Sequence, residues 1–431
     1  MSGGHPNVHR TAGMSRLGAM RYSQGGWAIA RAGETLGADG DMIENYAMTD
    51  APSLPRRSPA RIDESKLSQP LRDLFATWRQ ALKEDFKGLT ASGEVRQNLF
   101  RLEPTGVSTQ PLVTAVEVFI ASLDAEQGRA VSFAVDSEAW RHWSNIHRNV
   151  MRHGLCLADL SERQRYLVYG IMRLALGARA YETARNAMRL NEHLAELTGL
   201  PDEFGEMFYW ISIYGAPTPD APWGLQNDGH HCNINGFVLG DQIVLTPMLL
   251  GSEPVSAESG KYKGTTVLCE EEAEGAAFMK MLAREQRAKA TIGYDLPFDG
   301  YASGFKDNVV VPYDGLRTTE MTPGQIAALA DLIELYTDRL PPAHAQRRLD
   351  EAKDHLGETI FAWIGEFDAV APFYYRIYSP VIFIEFYHQP GVALPDTGYS
   401  RRHAHALVRT PNGNDYGRAL LRQHRLKSKQ P

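Results

Sequence analysis

The chain has 431 residues, 43% of them apolar and 23% charged, which is the composition of a globular protein with one large domain or two ordinary ones. Its net charge of −7 argues against non-specific binding to nucleic acid, which needs a cationic excess to neutralise phosphates. Cys156, Cys232 and Cys269 are too scattered for a disulfide framework, no run approaches the roughly 18 apolar residues of a membrane span, and the start lacks the apolar core of a signal peptide, so a cytoplasmic location is expected.

Residues 1–60 are rich in Gly, Ser and Ala and close on Pro52-Ser53-Leu54-Pro55-Arg56-Arg57-Ser58-Pro59, which cannot sustain helix or ladder bonding; they read as a flexible arm, or as an arm that wraps a partner subunit. Residues 65–425 read as one catalytic domain. From Ser68 the spacing of Leu71, Leu74, Phe75, Trp78 and Leu82 predicts a helix, and 112–123 a buried one. Trp140, Trp143 and His147 fall on one helical face. Ser161 and Gln164 form a capping box before a helix through Ile171, and the next helix, through Tyr181 and Met188, stops at Gly199; His193 on it reads as a half-exposed face residue.

After residue 205 the pattern changes to strand. The aromatic and β-branched stretch 208–214 is followed by a proline loop and then by Gly229-His230-His231. Segments 233–239 and 242–246 alternate around Gly240-Asp241 as a hairpin. A short strand over 265–269 and a helix over 270–287 follow. Thr322-Pro323 opens a further helix, and a second runs from Pro341-Pro342 to about residue 356. Strands are predicted at 359–364, 373–378, 381–387 and 403–409, and a last helix at 415–424. Helices to about residue 200, then a mixed and mainly antiparallel sheet flanked by helices, make an α+β fold.

The chemistry-bearing residues lie in the second half. His403 and His405 are two apart on a strand, hence on one face with backbone positions roughly 6.6 Å apart, close enough for both imidazoles to hold one metal ion. His231 completes a three-histidine set; His230 is placed as an acid/base residue or substrate contact. Glu385 sits in the apolar run Val381-Ile382-Phe383-Ile384-Glu385-Phe386, where a carboxylate needs a partner or a metal, so it is a candidate fourth ligand or general base. Arg376, in a similar run, could pair with it or bind substrate. Arg409 could grip a substrate carboxylate in bidentate fashion. Asp415 and His424 could accept the outer N–H of metal-bound histidines, Glu253 could reach the same pocket, and Cys232 could serve as a nucleophile. Trp223 and Tyr375 would suit an apolar, cyclic or aromatic substrate. No phosphate-binding glycine loop, G-x-S-x-G or H-E-x-x-H occurs.

In combined order these pieces resemble the family catalogued as domain of unknown function 3500. Its markers here are Trp143, Arg152-His153-Gly154-Leu155, Leu160 to Arg165, Tyr209-Trp210, Pro222-Trp223-Gly224, Gly229-His230-His231, Thr246-Pro247 and Glu253-Pro254. Phe361-Ala362-Trp363, Tyr374-Tyr375-Arg376, Glu385, His403-Ala404-His405, Arg409 and Asn414 to Gly417 complete the set. The chain departs from the family pattern at Tyr387-His388-Gln389 and in its long arm. The resemblance implies no reaction. From the residues, the expectation is a metal-dependent enzyme acting on a small organic substrate. A zinc-bound water would drive hydrolysis; iron or copper at the same ligands would support oxygen-dependent chemistry. Metal-free acid/base catalysis by a lyase or isomerase, and ligand binding alone, stay open, as does a homo-oligomer.

Overall fold

A computed structural model of the protein describes residues 57–59, 63–146, 152–395 and 398–428, together with two short strands near the N-terminus. Those strands, β1 (Met20–Ser23) and β2 (Gly26–Ile29), pair antiparallel within the unit Met1–Pro55; the rest of the arm up to residue 56 lies outside the described residues. The second unit, Arg56–Pro431, carries everything below.

It begins with helices α1 (Gln69–Ala81), α2 (Gln110–Ala121) and α3 (Ala125–Val131), the two-residue strands β3 (Ser132–Phe133) and β4 (Leu155–Cys156), and helices α4 (Glu162–Ala175) and α5 (Ala178–Thr198). The expected capping box opens α4: Gln164 N donates to Ser161 Oγ at 3.2 Å, and Ser161 N donates to the Gln164 side chain at 2.9 Å. Gly199 ends α5 at φ 68°, which a residue without Cβ adopts freely. Trp140 and Trp143 are buried, but Trp140 lies on a short 3-10 turn, Glu138–Arg141, and Trp143 just beyond it, rather than on the helical face expected; His147 lies outside the described residues. His193 is also corrected. It is buried on α5 and its Nδ1 meets Glu196 Oε2 at 3.2 Å.

The strands β5 (Tyr209–Tyr214), β6 (Trp223–Gly229), β7 (Cys232–Leu239), β8 (Gln242–Val244) and β9 (Met248–Ser252) follow. Helices α6 (Cys269–Met281) and α7 (Arg284–Ala290) replace the single helix expected over 270–287. Residues 265–269 form no strand; Thr266 makes only an isolated bridge to Ser256. After β10 (Thr291–Gly293) and β11 (Leu316–Arg317) come α8 (Pro323–Thr337) and α9 (Pro342–Asp354). The chain closes with β12 (Ile360–Ile364), β13 (Tyr374–Tyr378), β14 (Phe383–Pro390), β15 (Tyr399–Arg409) and α10 (Arg418–Lys427).

Among the described residues the last thirteen strands make one mixed sheet, in the order β10-β12-β13-β14-β15-β9-β7-β6-β5-β3, with β11 on β12, β4 on β5 and β8 on β7. Only β10–β12 and β3–β5 pair in parallel, so the fold is α+β with a mainly antiparallel sheet. The two hairpin systems meet where β9 pairs β15, with His405 opposite Gly251. That single ladder carries the C-terminal histidines to the middle of the chain.

Both faces of the sheet are buried, and they differ in kind. Because side chains alternate along a strand, Met248, Leu250, Tyr375, Ile377, Ile384, Phe386, Ala404, Ala406 and Val408 fall on one face, in the large core shared with α2, α4, α5, α6, α8 and α9. The other face carries Leu249, Tyr378, Phe383 and Leu407, packed against Leu89, Trp140, Trp143, Val311 and Tyr416 from mostly irregular chain. Onto this second face the same alternation puts Glu385, Tyr387, His403, His405 and Arg409.

Candidate metal centre

His231, His403 and His405 come together. One ring nitrogen from each lies within 4.8 Å of the other two, and all three side chains are buried. His403 Nε2 and His231 Nε2 are 3.2 Å apart. Two nitrogens bound about 2.0–2.1 Å from one tetrahedral ion stand about 3.3 Å apart, so this spacing fits a shared metal. His405 supplies the sharper observation: both its ring nitrogens are buried and neither has a hydrogen-bond partner. A buried polar atom left unpaired costs about 1–3 kcal/mol, and a metal bond would satisfy one of the two. Burial, reinforced by the nearby His403 and His388, pushes the His405 pKa well down, so the ring stays neutral, the form that binds metal.

Each of these histidines is held in place by its surroundings. His403 Nδ1 donates to Pro390 O at 2.8 Å, which leaves Nε2 as the unprotonated nitrogen. The same Nδ1 is 3.8 Å from Glu253 Oε2, and Glu253 in turn accepts the backbone N–H groups of Val392, Ala393 and Leu394 at 2.9–3.2 Å. His405 packs against the ring of Tyr387, centroids 5.0 Å apart. Gly251 faces His405 across the ladder, and a Cβ there would lie 2.3 Å from the imidazole, so glycine is required.

His230 and His231 are not on a strand. They form the two-residue turn between β6 and β7, and His231 takes the left-handed region at φ 61°. A non-glycine residue held there costs on the order of 1–3 kcal/mol and such positions gather at functional sites. The turn is pinned: His231 N donates to Asn145 O at 3.2 Å and Gly251 N donates to His231 O at 2.8 Å. His230 stacks on His231 with centroids 3.8 Å apart. Its Nδ1 meets Asn191 Oδ1 at 2.7 Å, and Asn191 Nδ2 donates to Gly205 O, which fixes the amide so that its oxygen faces His230.

The structure does not bring the other expected residues to the histidines. Glu385 lies on the same face but outside the three-histidine group. Its oxygens accept from Tyr301 N (2.8 Å), Ala302 N (3.0 Å) and Tyr374 O–H (2.8 Å), while burial raises its pKa. Arg376 stands opposite Glu385 in the ladder without forming an ion pair; it donates to Pro312 O and Asp314 O. Arg409 is occupied on all three nitrogens by Asp415, Asp307 and the carbonyls of Ala302 and Lys306, which leaves no fork for a substrate carboxylate. Asp415 therefore serves Arg409 and Thr410 N, not a histidine. His424 lies on α10. Tyr375 and Trp223 face the helical core, where Tyr375 shares its hydroxyl with Tyr336 and Glu271 O. Cys232 is buried in that core, and burial pushes its thiol up to about 12, which removes the thiolate a nucleophile needs.

Three residues close to the histidines were not anticipated: Asn191, Tyr387 and Phe204, whose ring is 5.5 Å from His230. Asn191 had a signal, a polar residue between Leu190 and Leu194 on the buried side of a helix. A cleft of about 690 Å³ lies at the opposite end of β15, lined by Thr246, His344, Arg348, Val408 and Thr410, and none of the three histidines lines it. No helix among the described residues is long and apolar enough to cross a membrane.

The family model described as "Protein of unknown function (DUF3500)" matches residues 105–418. Searches of the curated proteins and of the solved structures gave no match.

Proposed function

Because the chain belongs to the DUF3500 family, whose description names no reaction, we propose a function from the site alone: His231, His403 and His405 hold one divalent ion, and the protein is a metal-dependent enzyme acting on a small organic substrate. The observation that carries this reading is the pair of unpartnered, buried nitrogens on His405 beside the 3.2 Å contact of His231 with His403. Three neutral histidines with one position left over is the donor set of catalytic zinc, and zinc supplies a bound water whose pKa falls to about 7. Hydrolysis is the reaction that needs nothing further.

The chain's own residues set the limits of the chemistry. His230, whose Nδ1 meets Asn191 and whose ring stacks on His231, is the group we assign to proton transfer beside the ion. All three histidines are buried, so a substrate has to be small or has to displace the chain that covers them. Phe204 and Tyr387 give the surroundings apolar walls. Copper-dependent oxygen chemistry is the second reading, favoured by a nitrogen-only ligand group. The two-histidine, one-carboxylate arrangement of non-haem iron is not matched, since Glu385 is outside the group.

Elemental analysis of untagged protein tests the proposal. Near one equivalent of zinc is expected, lost in His403→Ala, together with turnover of members of a panel of small esters and amides that depends on the metal. Protein that folds, contains no metal and takes up none overturns it.

A further inference from the structure

Resting on the metal-site reading and deepening it, we propose that Arg57, at the inner end of the N-terminal arm, is a positioning residue for the histidine turn. Arg57 lies well outside the region matched by the family model, yet its guanidinium is engaged on three sides. Nε donates to Pro201 O at 3.0 Å, Nη1 pairs with Glu192 at 2.7 Å, and Nη2 donates to Phe204 O. The planar group also lies over the Phe208 ring, 5.5 Å from its centroid. Next to it, Arg152 Nη1 donates to Pro59 O at 3.2 Å and ties down the following residues.

Every acceptor of Arg57 belongs to α5 or to the turn that follows it, and two paths run from there to His230. In the first, Arg57 holds Phe204 by its carbonyl, and the Phe204 ring packs on His230. In the second, Glu192 receives Arg57 on one oxygen and Glu206 N on the other, which fixes the turn around Gly205. Gly205 O then orients Asn191, and Asn191 orients His230. His230 stacks on His231, a metal ligand whose left-handed backbone needs support from its surroundings. Each of its three nitrogens meets a different acceptor, which suits the forked guanidinium and not an ammonium. The Arg57 and Glu192 side chains are 33% and 21% exposed, so water reaches their ion pair and takes over part of its role when the arginine is lost.

The test uses the full-length chain loaded with zinc, and reads the rate of zinc release to an excess of a chromophoric chelator. Arg57→Ala is expected to release zinc about ten-fold faster than wild type, the scale seen when a group supporting a metal ligand is removed. The melting temperature of its zinc-free form is expected to stay within about 2 °C of wild type, and Arg57→Lys to recover the release rate only in part. Should Arg57→Ala not fold, Glu192→Gln weakens the same contact and is read by the same release rate. Release at the wild-type rate, or faster release matched by a general fall in melting temperature, overturns this inference alone. Wild-type protein that takes up no zinc overturns it together with the reading it rests on.

Discussion

Two polar clusters lie buried on the same face of the sheet, and they differ in how far the protein itself satisfies them. Around Arg409 every strong group has a protein partner. Arg409 pairs with Asp415 at 2.7 Å and with Asp307 at 2.5 Å; Asp307 also receives Arg141 at 2.9 Å and the Tyr416 hydroxyl at 3.0 Å; Trp143 donates to that hydroxyl at 2.8 Å. Around His405 the count fails, with two buried nitrogens and no partner for either. Burial of polar groups therefore does not by itself mark a functional site. A completed network is a structural joint between the sheet and its loops; an unpartnered buried group calls for an explanation, and at His405 the metal proposed above supplies one.

The largest effect expected from breaking this comparison is at the completed cluster. Arg409→Met leaves Asp307 and Asp415 in the interior without their shared cation, which should destabilise the fold by about 3–5 kcal/mol. Denaturant unfolding of the metal-free protein measures it. The folded fraction should still bind metal, since Arg409 makes no contact with the three histidines. A small loss of stability would mean that water reaches the two carboxylates.

At the incomplete cluster the sign should reverse. His405→Leu replaces an unpartnered buried imidazole by an apolar side chain of similar reach. In metal-free protein this should be neutral or stabilising, by up to about 1–3 kcal/mol, because the desolvation cost of the orphaned nitrogens disappears. In metal-loaded protein it should abolish stoichiometric binding. Unfolding curves with and without zinc separate the two. A variant that is strongly destabilised without metal would show that His405 is a structural residue with partners of its own.

Much of this contrast was legible in the sequence, and the missing part has a definite cause. Period-2 alternation put His403 and His405 on one face, and the apolar run around Glu385 marked it as a carboxylate that must be engaged. Neither pattern says by what. The partners of Glu385 are backbone amides of Tyr301 and Ala302, and those of Arg409 include Asp307, all from an irregular stretch without periodicity. The strand β6 was not foreseen because Gln226, Asn227 and Asp228 are poor strand formers. They are buried through side-chain bonds across the sheet, such as Gln226 to Asn235 at 2.6 Å and Asn233 to Asp228 at 2.5 Å. Without β6 no hairpin is visible for His230 and His231 to close, whereas they are its two-residue turn. The pairing of β9 with β15 joins residues about 150 positions apart, and its register depends on the whole sheet.

Tyr387 allows the smallest and most discriminating cut, because it touches the histidine site with one end and a satisfied group with the other. Its ring packs on His405, and its hydroxyl donates to Asp299 Oδ1 at 3.2 Å. Asp299 also holds Ser303 and Lys306, so it does not depend on the tyrosine. Tyr387→Phe keeps the ring and removes one hydrogen bond, which should lower stability by about 0.5–1.5 kcal/mol. If the phenyl wall is all that the site needs from this residue, metal content and zinc release should match wild type. If the hydroxyl takes part in the proposed chemistry, turnover should fall while stability and metal content hold, and Tyr387 would then join His230 among the residues assigned to proton transfer.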